Sequence, residues 1–196
     1  MAFVFSALSL SCAKVSAKGG NGQSGQLTIQ ATFGVRNAHE VARFLKVSTG
    51  VDPITNGTVA GTFTSKKAAL SSGTTLNAKN LQAIIDIAYQ TFGVVITNES
   101  PAGAAKRWFG DVNFSSNGVT QFTAAKKDAI CANFLTRLMG QKPIAAEQAA
   151  CVQTFTEISA VSVTIAGGNA AAANRNETLK VFAATLVAST LGGAAL

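Results

Sequence analysis

Residues 77–92 read NAKNLQAIIDIAYQTF, and the fold class turns on them. Leu81, Ile84, Ile85, Ala88 and Phe92 recur three and four positions apart, which gathers them on one face of a 3.6-residue helix and predicts a helix over this stretch. The same spacing returns downstream. Ile130, Cys131, Phe134, Leu135 and Leu138 predict a helix over residues 123–139, closed by Gly140 and Pro143. A helix over residues 144–159 is expected to bury Ile144, Cys151, Val152, Phe155 and Ile158. A last helix begins near Asn174, with Glu177 as its capping acid and Leu179, Phe182 and Leu186 as its face.

Upstream, Asn37 followed three residues later by Glu40 has the form of a capping box, and Val41, Phe44 and Leu45 complete a helix over residues 37–47. Residues 51–64 are rich in Thr and Val and hold Asn56-Gly57 between Ile54-Thr55 and Thr58-Val59, which predicts a small β-hairpin. Residues 26–35 place an apolar side chain at every second position, as an extended segment would, and a Gly-rich stretch over residues 19–25 makes a joint before it. The expected organisation is an extended N-terminal arm over residues 1–36, a helical core domain over residues 37–165, and a C-terminal extension of helix and tail over residues 166–196. The fold class is mainly α, with the hairpin as its β element.

The chain's 196 residues are 47% apolar, enough for one domain with a real core. Only 13% are charged, well below the roughly 25% of an ordinary globular chain, so much of the surface is expected to meet other protein. Sixteen Lys and Arg face nine Asp and Glu, a net charge of +7, which favours a polyanionic partner over a small acidic substrate. The three cysteines, Cys12, Cys131 and Cys151, form no metal-ligand spacing, and their odd number argues against a disulfide framework. They read as small apolar fillers in a reducing compartment. No apolar run reaches the roughly 18 residues of a membrane span. The apolar opening from Met1 to Cys12 lacks the preceding Lys or Arg of a secretory signal and reads as an arm that docks on something.

Chemistry of the catalytic kind finds little support. His39 is the single histidine and has no Cys or Asp at a ligand spacing, so it reads as a solvated helix residue. The acids are scattered singly, and no phosphate-cradling glycine motif or nucleophile elbow occurs. The sequence reads as a non-enzyme with no catalytic residues, no cofactor and no metal. The basic residues carry more. Lys106-Arg107-Trp108-Phe109 interleaves cations with aromatics, and Lys126-Lys127 opens a helix in which Arg137 returns to nearly the same side as Lys126 after about three turns. Cations in a row beside an aromatic pair suit a groove that tracks the backbone of a single strand. The plainer alternative is a solvated face for Lys126 and Lys127 and core packing for Trp108 and Phe109.

The order of elements from Asn77 to Gly140 resembles the core of the coat proteins of flexible filamentous plant viruses, the potexvirus, betaflexivirus and potyvirus group. Ala78-Lys79-Asn80-Leu81 with Ile85 stands where that family has a Leu-Arg-Gln element. Trp108-Phe109-Gly110-Asp111-Val112 resembles its Phe-Asp-Phe-like motif, and Gly118-Val119-Thr120 leading into Thr123-Ala124-Ala125-Lys126-Lys127 is similar to the start of its long basic helix. Thr97-Asn98-Glu99-Ser100-Pro101 is similar to the Thr-Asn-Asn-Ser-Pro-Pro of potexvirus coats. Lys79 replaces the family's Arg, and Gly110 and Val112 replace the aromatics around Asp111. The resemblance implies a helical filament with one RNA strand in an inner groove and an N-terminal arm docked on a neighbouring subunit. It also implies RNA contacts at Ser48 or Thr49, Lys79 and Asp111.

The expectation is therefore a coat protein that binds single-stranded RNA without sequence specificity and forms a homo-oligomeric helical polymer, found in the virion and the host cytoplasm and with no membrane partner. Its RNA-binding set is Ser48, Thr49, Lys79, Lys106, Arg107, Asp111, Lys126, Lys127 and Arg137. The alternative is a self-assembling filament or shell subunit without nucleic acid, which the low charge and the apolar arm support equally.

Overall fold

The structure, a computed structural model, describes residues 37–70 and 77–192. The expected arm over residues 1–36, with its joint and alternating strand, lies outside the described residues, as does the end of the C-terminal tail. Among the described residues six helices follow one another: α1 (Ala38–Thr49), α2 (Ala60–Lys66) running into a 3-10 turn (Lys67–Leu70), α3 (Ala78–Glu99), α4 (Ala124–Met139), α5 (Ala145–Ile165) and α6 (Arg175–Gly192).

Local signals set most helix starts. Asn37 and Glu40 form the reciprocal capping box read from the sequence, each side chain accepting from the other's backbone N–H at 3.0 and 3.1 Å. Asn77 and Asn80 do the same at α3, Thr123 caps α4, and Asn174 accepts from Glu177 N at α6. Gly50 and Gly140 close α1 and α4 in the left-handed conformation. Two helices outrun their expected ends. α3 passes Gly93 to Glu99 because Val95 and Ile96 continue its buried stripe, and it stops only before Pro101. α5 continues to Ile165.

The β-hairpin is overturned, since the described residues contain no strand. Asp52 accepts from Ile54 N, Asn56 accepts from Thr58 N, and Asn56 O takes the amides of Val59 and Ala60, so successive turns wind the chain directly into α2. Burial explains the outcome: Val59, Phe63 and Leu70 are the inward residues, and separations of four and seven suit a helical stripe, not a strand's alternation.

α3 and α6 make the largest interface, α4 and α5 form a helical hairpin packed on α6, and α1 and α2 cover α3. α6, expected as a C-terminal extension, lies in the middle of the core. Phe182, Ala183, Ala184, Leu186, Val187 and Ala188 are all buried, while Val181 is 42% exposed, so neighbours cover most of the helix and leave it one open side. Phe134 is the hub of the aromatic core, with ring centroids 4.8 Å from Trp108, 5.3 Å from Phe182 and 5.5 Å from Phe92. Each such ring contributes about 2–3 kcal/mol by burial.

The expectation of free, space-filling thiols is also corrected. Cys131 on α4 and Cys151 on α5 form a disulfide, with Cα atoms 5.8 Å apart. Both belong to the inward stripes read from the sequence, and packing those stripes together brings the two sulfurs face to face. Their separation in sequence gave no sign of it.

Candidate nucleic-acid interface

The loop between α3 and α4 is fixed by side chains that the sequence spaces far apart. Arg175, only 4% exposed, donates to the carbonyls of Asn113, at 3.1 Å, and Ser116, and its guanidinium lies over the Phe114 ring. Burial pushes its pKa down. Arg175 N also donates to Asn117 O, and Val119 N to Ala170 O. Gly118 lies so close to Ala171 that a Cβ would fall 2.7 Å from its backbone. One end of the loop is thereby tied to the start of α6.

The other end carries the cations. Glu99, in the last turn of α3 and 5% exposed, accepts three consecutive backbone N–H groups: Arg107 and Trp108 at 2.9 Å and Phe109 at 3.2 Å. Asn133 of α4 holds the opposite edge, donating to Arg107 O at 2.6 Å and Trp108 O at 2.7 Å. Its remaining oxygen accepts from Arg137 Nε at 3.0 Å. Between this loop and α4 lies an open groove of about 230 Å³, lined among others by Lys106, Arg107, Trp108, Asp111, Asn133 and Arg137.

Charge in the groove is one-sided. Lys106 donates to Val112 O and lies 5.4 Å from the Phe114 ring centroid; Arg137 lies 5.7 Å from the Trp108 ring centroid. Lys126 stands at the rim, 3.8 Å from the carboxylate of Asp111, which is itself 72% exposed. A pair that long and that wet adds little stability, and among the described residues lining the groove Asp111 is the one acid.

Five of the nine residues expected to bind RNA therefore gather here: Lys106, Arg107, Asp111, Lys126 and Arg137. Four lie elsewhere. Lys127 turns toward α5 and donates to Thr156. Lys79 sits in the first turn of α3, about 30 Å along the helix axis from Glu99. Ser48 and Thr49 end α1 and donate their hydroxyls back to the carbonyls of Phe44 and Leu45. Trp108 and Phe109 are 2% and 0% exposed, so they are core residues beneath the groove and offer no open face for a base to stack on.

Glu99 and Asn133 escaped the sequence reading, although each leaves a trace. An acid in the last turn of a helix opposes the macrodipole and needs donors from outside the helix, and Asn133 precedes Arg137 by four residues, on the same side of α4. Among the described residues, no group of three His, Cys, Asp or Glu is placed to hold a metal ion, and no helix is long and apolar enough to cross a membrane. No family model matches the chain, and no curated protein or solved structure matches it.

Proposed function

We propose that this chain is a coat protein that binds single-stranded RNA through its phosphates and polymerises into a flexible helical filament, as the resemblance to filamentous plant virus coats implies. The observation that carries the reading is the groove between the α3–α4 loop and α4. Three cations from two separate segments, Lys106, Arg107 and Arg137, line it, with Lys126 at its rim beside the solvent-exposed carboxylate of Asp111. Such a surface attracts a polyanion and is indifferent to base sequence, because its donors are charged and flexible and its aromatics are covered. The expected binding thus rests on charge, with no contribution from base stacking on Trp108 or Phe109. Particles purified from the expressed chain should show an absorbance at 260 nm in excess of that at 280 nm, and filaments in negative stain whose length follows the RNA supplied. Particles free of nucleic acid would remove the proposal.

A second reading, a self-assembling subunit without nucleic acid, is favoured by α5. Only Cys151, Phe155 and Ser159 of this helix are buried, while Val161 and Ile165 are 49% and 73% exposed and the preceding Ile144 is 64% exposed. The same absorbance measurement separates the two readings, and the exposed Ile144, Val161 and Ile165 suit contact with another protein surface under either.

A further inference from the structure

We infer that Glu99 and Asn133 are the positioning residues of the RNA groove: together they hold the backbone of residues 107–109 by both edges, and through Asn133 the loop and Arg137 are set in one geometry. This inference rests on the RNA reading of the groove. The three amides of Arg107, Trp108 and Phe109 all point at the Glu99 carboxylate. Successive N–H groups aimed at one anion form a concave nest, which fixes the backbone of all three residues at once. Asn133 uses both its donor and its acceptor groups. Its amide N–H groups take the carbonyls of Arg107 and Trp108, and its oxygen takes the Nε proton of Arg137.

The consequence for binding is geometric. Arg107 is exposed, and among the described residues its side chain has no carboxylate partner within ion-pair distance; the bonds to Glu99 and Asn133 hold its backbone. Arg137 uses Nε on Asn133 and lies beside Trp108, which leaves its terminal nitrogens for the groove. The guanidinium of Arg137 and the backbone from which the Arg107 side chain extends, on segments 30 residues apart in the sequence, are thus both held by one side chain. A strand that meets both gains from their being placed beforehand, since less freedom is lost on binding.

Trp108, the single tryptophan of the chain, lies inside the gripped segment and reports on it directly. The test compares the full chain with the variants N133A and E99Q, which act on opposite edges of the loop, and with the double variant R107A/R137A, using poly(U) as the probe. Circular dichroism and cooperative urea unfolding establish that each variant keeps its helices. In N133A and E99Q, Trp108 emission should move to longer wavelength and become more open to acrylamide quenching. Their affinity for poly(U) should fall about tenfold or more at low salt, and the dependence of log K on log salt should become shallower by about 1.4, the loss of two phosphate contacts on a single strand. Adding N133A to R107A/R137A should cause no further loss, because the same two contacts are already gone.

Native poly(U) affinity and salt dependence in N133A and E99Q, with the native chain binding normally, overturn the inference alone. So does a further fall when N133A is added to the double variant, since that marks an independent effect. A native chain that ignores poly(U) at low salt overturns the RNA reading, and the inference goes with it.

Discussion

Replacing Gly118 by Ala should unfasten the α3–α4 loop from the start of α6. The added Cβ would lie 2.7 Å from both Cα and O of Ala171 and 2.9 Å from O of Ala170. Carbon atoms in ordinary contact sit about 3.5 Å apart or more, so the two backbones must separate by roughly 0.8 Å. The bond from Val119 N to Ala170 O is now 2.9 Å, and that displacement takes it beyond the range of a hydrogen bond. The adjacent bond from Arg175 N to Asn117 O, also 2.9 Å, is strained by the same movement. Losing one or two largely buried backbone bonds, together with the residual crowding, costs about 2–4 kcal/mol.

Gly93→Ala serves as the internal control. Its Cβ would meet only the Cδ of Lys180, at an ordinary 3.5 Å, in the interior of α3, where Ala is better than Gly by about 0.5–1 kcal/mol. The measurement is urea unfolding followed by helical circular dichroism. With a slope of about 2 kcal/mol/M, Gly118→Ala should lower the midpoint by roughly 1–2 M, while Gly93→Ala raises it slightly. If Gly118→Ala unfolds within about 0.5 kcal/mol of the native chain while Gly93→Ala behaves as expected, the close approach at Ala171 does not exist and the loop is not held as described.

Other outcomes follow from the same geometry. Reducing the Cys131–Cys151 bridge, or replacing Cys131 by Ser, should cost about 3 kcal/mol, the loop-closure value for a separation of 20 residues; three free thiols counted in the unreduced, unfolded chain, one for each cysteine of the sequence, would show that the bridge is absent. Arg107→Ala and Arg137→Ala should each make the salt dependence of RNA binding shallower by about 0.7 and weaken poly(U) and poly(A) alike. Lys127→Ala, whose ammonium faces Thr156, should leave that dependence unchanged, and an equal effect at Lys127 would move the binding surface to the α4–α5 side. Tyr89, Glu177 and Lys180 form a linked group in which Tyr89 OH donates to Glu177 and Lys180 donates to both. Burial pulls Glu177 upward, but bonds from Lys180 and Tyr89 outweigh it and hold its pKa below the ordinary value. Its stabilisation is therefore present above the ordinary carboxylate range, about 4, and is lost as pH falls through the depressed value. Burial raises Tyr89, and the bonds to Glu177 and Tyr89 raise Lys180 against the effect of burial; their contribution is present below about pH 10 and is lost as pH rises further. Unfolding midpoints measured across this range should show both limbs, with the acid limb shallower in Glu177→Gln; an acid limb of native depth in that variant removes the group from the account.

The helices and their caps were legible because they depend on neighbours three and four residues apart. Asn37 with Glu40, Thr123 before α4, and the stripe from Ile130 to Leu138 state their roles within a single turn or two. The hairpin reading failed inside the same local window. Asn56-Gly57 marks a turn in either case, and what decided between strand and helix was the burial of Val59 and Phe63 against α3, which no window of the sequence contains. The cations at Lys106, Arg107, Lys126 and Arg137 were visible as a basic set, yet the sequence could not separate Lys127 and Lys79 from them, because charge has no face until a helix is packed.

What the sequence by itself determined is where α1, α3, α4, α5 and α6 begin and most of the residues that they turn inward, α2 excepted, since hydrophobic periodicity and capping are short-range properties. Only the tertiary structure decided that α6 is the centre of the core, that Cys131 meets Cys151, and that Glu99 and Asn133 grip the loop bearing Arg107. Each of those depends on groups brought together from distant segments, and the force that joins them is burial, which acts on whole surfaces and leaves no mark at any one position.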